Sequence, residues 1–120
     1  MKKILIITQH ADKFTKLAKG LSAEQTNHIV WADSVAAARA AAFSLIDLII
    51  IDDSLDGRSC LDIAKDMIRV NALAHLALVT TLSPEEFHEA SEGLGVLASL
   101  PSDPDEKDAE RLMNALAALS

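Results

Sequence analysis

The sequence predicts an α/β fold, a three-layer doubly wound (βα)5 domain around a five-stranded parallel sheet. Three observations carry this. Five short apolar stretches alternate strictly with five helical stretches, the pattern of a parallel sheet covered by helices on both faces. Right-handed crossovers with one reversal of winding turn that alternation into a doubly wound sheet. The 120 residues, 50% of them hydrophobic, suffice for a single domain, residues 1–120, whose core needs no staples.

The elements follow in order. Ile4–Thr8 is a short β-branched apolar run, a strand buried on both faces. Ala11, Phe14, Leu17, Ala18 and Leu21 share one face of a helix, with Lys13, Lys16 and Lys19 off it. Gly20 near its end weakens it. His28–Ala32 is a weaker strand holding the only tryptophan, Trp31. Asp33 or Ser34 caps an alanine-rich helix through Phe43. Asp47–Asp52 is the strongest strand signal. Asp53-Ser54-Leu55-Asp56-Gly57 reads as a polar loop, with Asp56 as a turn residue. A helix over Ser59–Val70 and a strand over Leu76–Thr80 come next.

Ser83-Pro84-Glu85-Glu86 starts a helix that ends near Gly93, with Ser83 as cap, Pro84 in the first turn and Glu86 closing a capping box. Val96–Leu100 is the fifth strand. Asp103-Pro104-Asp105-Glu106 repeats the cap logic. Ala109, Leu112, Met113, Leu116 and Leu119 then form the apolar stripe of the last helix.

Composition narrows the function classes. A net charge of −7 argues against non-specific nucleic-acid binding, which needs a basic face. The single cysteine, Cys60, excludes an internal disulfide and a multi-cysteine zinc site. It stands at a helix start, where a thiolate is favoured, though a lone cysteine there more simply packs. The apolar run Leu48–Ile51, like every other strictly apolar run in the chain, is far short of the roughly 18 residues of a membrane span. The start, Met1 to Thr8, has a charged n-region but an apolar run below the roughly 7–15 residues of a signal peptide. The expected location is cytoplasmic.

Ligands of doubly wound folds bind beyond the carboxyl ends of the strands. The residues there are Thr8-Gln9-His10, Asp52-Asp53-Ser54, Thr80-Thr81 and Leu100-Pro101. Asp53 alternates to the opposite side of a strand from Asp52, so the two read as independent solvated acids. A metal pair would require a loop conformation. His10, His28, His75 and His88 are scattered, and only His10 falls at the cleft rim.

With these anchors in order, the chain resembles the receiver domains of two-component response regulators (the CheY-like family) over essentially its whole length. Asp47-Leu48-Ile49-Ile50-Ile51-Asp52 matches the family's third strand, which implies that Asp52 is at the phosphoacceptor position. Leu76-Ala77-Leu78-Val79-Thr80-Thr81 matches the fourth, which implies that Thr80 is at the phosphoryl-contact position. Glu92 to Pro101 aligns on the segment ending in Lys-Pro. The resemblance implies the flavodoxin-like strand order 2-1-3-4-5 and a cis Leu100–Pro101 bond.

The match breaks at the chemistry. The family's acidic pair after the first strand is here Thr8 and Gln9. Its lysine is Leu100, and its aromatic switch residue is Leu97. Gly57 follows Asp52 by five positions, where the family has about eight. Magnesium takes hard, usually anionic oxygen ligands, and phosphoryl transfer depends on positioning and charge neutralisation. The cleft rim is then Thr8, Gln9, Asp53, Ser54 and Leu100. No catalytic residue, cofactor or metal site is expected. Any magnesium would have Asp52 and Asp53 alone, with Asp56 within reach.

From Ser83 to Glu110 stand nine acids, Glu85, Glu86, Glu89, Glu92, Asp103, Asp105, Glu106, Asp108 and Glu110, against one base, Lys107. The face 83–119 is therefore a candidate docking surface for a basic protein patch, on a histidine kinase or an effector. The expectation is a non-enzymatic pseudo-receiver, a monomer or weak homodimer, without nucleic-acid or membrane partners. The alternatives are a working phosphoacceptor on Asp52 and a small-molecule or nucleotide site. The second lacks a glycine-rich loop after the first strand. An anti-sigma-antagonist-like domain, suggested by Asp53-Ser54, fits the alternation less well.

Overall fold

The computed structural model describes residues 2–23 and 27–119. The strands are β1 (Lys3–Ile7), β2 (His28–Ala32), β3 (Leu48–Ile51), β4 (His75–Val79) and β5 (Val96–Leu100). They form one parallel sheet in the order β2-β1-β3-β4-β5, the predicted 2-1-3-4-5. The helices are α1 (Thr15–Ser22), α2 (Val35–Ala42), α3 (Cys60–Val70), α4 (Pro84–Ala90) and α5 (Glu106–Ala118).

Side-chain alternation splits the core into two layers. Ile4, Ile6, Leu48, Ile50, Ala77 and Val79 face Phe14, Leu17 and Leu21 beside α5's Ala109, Leu112 and Leu116. Leu5, Ile7, Ile49, Ile51, Leu76 and Leu78 face Ala38 and Ala42 of α2 and Ile63, Ala64 and Met67 of α3. Each fully buried leucine or isoleucine is worth roughly 1.5–3 kcal/mol, so the central strands carry the fold. By contrast, α4 buries none of its residues.

Two caps hold as predicted, Ser34 and Ser83, and Ser59, expected inside its helix, is a third. The Ser34, Ser59 and Ser83 hydroxyls accept the Ala37, Asp62 and Glu86 amides, and Glu86 closes the capping box. The first helix instead opens as a 3₁₀ turn over Ala11–Phe14. Phe43 is the C-cap of α2. Helix α4 ends at Ala90, and Gly93 (φ 84°) and Gly95 (φ 66°) turn the chain into β5.

Four expectations are corrected. The cap of α5 is Asp105, not Asp103: its carboxylate accepts the Lys107 and Asp108 amides, and Asp108 returns a bond to the Asp105 N–H. Both aspartates have an acid three residues on. Pro104 and Ala109, the staple positions around an Asp105 cap, are both buried. Leu119 is 58% exposed, because it lies beyond the last turn of α5. Leu100–Pro101 is trans. Trans is the cheaper form by about 0.5–1 kcal/mol, and Leu100 lies in the core with no group to present to the cleft.

The fourth is the stretch after Asp52, which is a tight antiparallel hairpin (Ser54–Leu55 with Arg58–Ser59) rather than a loop. Its two central residues, Asp56 (φ 52°) and Gly57 (φ 75°), form the positive-φ turn that an Asp-Gly pair favours. Leu55 is buried, so the hairpin is anchored in the core.

That hairpin is tied down by charge. Arg58 donates to Asp62 and Asp66, each at 2.7 Å, and Arg39 of α2 donates to Asp66 at 2.6 Å. Arg58 first, then Arg39, holds the Asp66 carboxyl below the usual carboxylate range. A carboxyl depressed on folding stabilises the fold above its unfolded value, about 3.9, and that contribution is lost as pH falls through the folded value. Denaturant melts below about pH 4 should therefore show Asp66→Asn with a shallower loss of stability than wild type. Parallel curves would mean that Asp66 contributes nothing to acid sensitivity.

On the inner side of the edge strand β5, the Leu100 carbonyl accepts the Thr80 amide. The Ser99 carbonyl, one residue earlier, accepts from Arg111 of α5 at 3.0 Å. Arg111 also pairs with Asp108.

Candidate functional site

The register places the site. Ile7 of β1 lies beside Ile51 of β3, so the next residues, Thr8 and Asp52, leave the sheet side by side. The Asp52 amide donates to the Ile7 carbonyl and the Thr8 amide to the Ala32 carbonyl, which continues the ladder one step and fixes both side chains.

Asp52 is 0% exposed, so the reading of a solvated acid is corrected. Its Oδ2 accepts the Thr8 hydroxyl at 2.7 Å. Its Oδ1 accepts the Asp53 amide at 2.8 Å and faces the Lys13 ammonium at 3.4 Å. Thr8 is itself buried, and its hydroxyl accepts the His10 amide at 2.9 Å. A buried carboxylate survives only when paired and hydrogen-bonded, and these three donors meet that need.

The replaced residue Thr8 is therefore a partner of Asp52 rather than a gap. Lys13 is the member that sequence reading missed. It sits in the 3₁₀ turn, not on the solvent face of a longer helix, and that turn brings it over the carboxyl ends of β1 and β3. The available signal was position: Lys13 is the first base after the strand that borders the crevice.

Other candidates lie apart from Asp52. Asp53 is exposed, and its backbone is used on both sides, donating to Asp52 and accepting from Cys60. Ser54 is exposed at the base of the hairpin. Thr80 is half-buried, and its hydroxyl accepts the Leu82 amide at 3.1 Å, not a bond to Asp52. Leu100 is 1% exposed in the core, so its place on the cleft rim is corrected; an aliphatic chain at a strand end gains more from the core than from water.

Gln9 is exposed and links the elements around the cleft. Its amide donates to the Asp33 carbonyl at 3.2 Å and to Asp56 at 3.1 Å. The other Asp56 oxygen accepts the amide of Val35, the first residue of α2, at 3.4 Å. His10 is exposed. Cys60 is buried, and burial pushes its thiol above the ordinary value, the opposite of what a reactive thiolate needs.

Solved structures share this fold over nearly the whole chain. A CheY-like response regulator receiver domain protein from Methanospirillum hungatei JF-1 matches with a TM-score of 0.81 at 16% identity, over 98% of this chain and 95% of that one. A two-component response regulator from Clostridium difficile matches at 0.79 and 22% identity, over 98% and 97%. The chemotaxis response regulator CheY4 of Vibrio cholerae matches at 0.78 and 16%, over 97% and 98%. No protein-family model and no curated protein sequence matches the chain. The chain thus has the fold of the receiver domains of response regulators.

Proposed function

We propose that the chain is an atypical receiver, a protein-interaction module in two-component-type signal transduction that works without magnesium-dependent phosphorylation of Asp52. One observation carries the reading. The Asp52 carboxylate is fully buried, and both its oxygens are already engaged by Thr8, Lys13 and the Asp53 amide.

A phosphoacceptor carboxylate must present an oxygen to the incoming phosphorus, beside a cation that neutralises the transferring group. Here the hydroxyl and the ammonium satisfy the carboxylate internally. The donor set does not suit magnesium. A hard divalent ion wants oxygen ligands; the neighbours of Asp52 are a hydroxyl that donates to it and an ammonium that would repel the ion. Among the described residues, no group of three His, Cys, Asp or Glu could hold a metal.

The partner surface in this reading is the acidic face 83–119. Helix dipoles account for acids in the first turns of α4 and α5, but not for Glu89, Glu92 or Glu110. With α4 burying none of its residues, its exposed Glu85 and Glu89 can meet a basic patch on a kinase or an effector. The module acts by binding, not by catalysis, in the cytoplasm.

Intact-mass measurement after incubation with acetyl phosphate and magnesium tests this. The expected result is no phosphoryl adduct in either wild type or Asp52→Asn. An adduct on wild type that is missing from Asp52→Asn would make the chain a working phosphoacceptor.

A further inference from the structure

The pole opposite Asp52 carries a feature that shares only the end of α5 with the acidic face. The connections at the amino ends of the strands expose Phe43 (80%), Leu45 (89%) and Leu73 (88%), and the end of α5 adds Leu119 (58%). Leu45, Leu73 and Leu119 do not stand singly: they line one cavity of about 220 Å³, with Lys2, Asp47 and His75 among its polar walls. Scattered surface leucines need no explanation, but an apolar cluster rimmed by polar groups marks an interaction site.

We propose that this pole is a self-association surface, occupied by a second copy of the chain across a two-fold axis. Two features favour that occupant. First, the pole carries both a knob and a hole. Phe43 protrudes two residues from Leu45, and a cavity of about 150 Å³ already accepts a benzene ring, so a space of this size takes a phenyl side chain. An isologous pair fills both cavities at once, each with the partner's Phe43.

Second, the charge suits it. The chain is acidic overall, at −7, so two copies repel across most orientations. This pole holds Lys2 beside the cavity and Lys3, whose ammonium donates to Ser44 between Phe43 and Leu45. Against them stands Asp47, which accepts the Lys3 backbone amide. The acid-rich segment 83–110 contributes nothing to the cavity lining. Four apolar side chains make a patch smaller than the roughly 800 Å² per partner of a standard interface. The dimer is accordingly weak, with a dissociation constant of about 100 μM, within the range of transient contacts.

The association needs nothing of Asp52, so it stands or falls apart from the function proposed above. Sedimentation equilibrium from about 10 μM to about 1 mM, spanning that weak range, tests it on wild type, Leu73→Asp and Lys65→Arg. The variants change exposed residues, and circular dichroism melts confirm the fold. Wild type should rise from the monomer mass towards twice that mass. Leu73→Asp should weaken association at least tenfold, about 1.4 kcal/mol, and Lys65→Arg should leave it unchanged. A wild-type chain monomeric throughout would overturn the proposal, as would association undiminished in Leu45→Asp/Leu73→Asp. Co-sedimentation with anionic-lipid vesicles, abolished by Leu73→Asp while the free protein stays monomeric, would assign the patch to a membrane surface instead.

Discussion

Lys13→Met should lower the stability of the fold by about 2–3 kcal/mol, and Asp52→Asn in the same chain should restore part of the loss. Removing one partner of a buried ion pair costs about 3–5 kcal/mol, because the other charge is left uncompensated. Here the carboxylate is 0% exposed and the lysine side chain 27% exposed, at 3.4 Å. Water can replace some of what the ammonium supplies, which brings the figure below the full cost. An asparagine at 52 carries no charge, and its carbonyl oxygen can still accept the Thr8 hydroxyl or the Asp53 amide. A double-mutant cycle by urea denaturation measures the coupling, expected at 1 kcal/mol or about that. Additivity within about 0.5 kcal/mol would mean that Lys13 does not neutralise Asp52, and the proposed account of the site would lose its central support.

Gly20→Val should cost about 3 kcal/mol, at the upper end for overpacking a tight contact. From sequence, Gly20 only weakens a helix. In the fold it is where α1 and α5 touch: a β-carbon there would stand 2.7 Å from the Ala109 β-carbon and 3.0 Å from the Glu106 α-carbon. The second contact is backbone and cannot swing away. Gly20→Ala sets the same clash against a helix-propensity gain of about 1 kcal/mol, so it should lose less. Ala109→Gly should recover part of the Gly20→Ala loss by removing the nearer atom. Thermal melts of the single and double variants check the order. A Gly20→Ala chain more stable than wild type would show that the two helices separate cheaply.

Elements set by local physics were legible in the sequence. The bounds of β2 and β5 match residue for residue, and Ser34 and Ser83 cap where a hydroxyl precedes a helical run. The misses share a cause, which is that tertiary contact chose between local options of equal merit. Asp103 and Asp105 both offer a capping box, and the burial of Pro104 and Ala109 decides between them. Asp53 to Gly57 reads as polar because one leucine in five carries little pattern, yet Leu55 enters the core. The site was half legible. Asp52 and Thr8 follow from strand order, whereas the Lys13 contact spans 39 positions in sequence and depends on a 3₁₀ turn that no periodicity announces.

The bond from Arg111 to the Ser99 carbonyl bears on how this protein behaves when concentrated. A parallel sheet ends in a strand whose outward amides and carbonyls are a template for a stranger's strand, the first step of edge-to-edge aggregation. In β5 the hazard is greater, since Val96, Leu97 and Ala98 are only partly covered and α4 gives little shelter. A guanidinium on one outward carbonyl occupies an acceptor that an added strand would need. It also places a charge that the newcomer would have to bury. An edge arginine so placed has the features of a gatekeeper against fibre growth, set by the geometry of the last strand and not by the cleft.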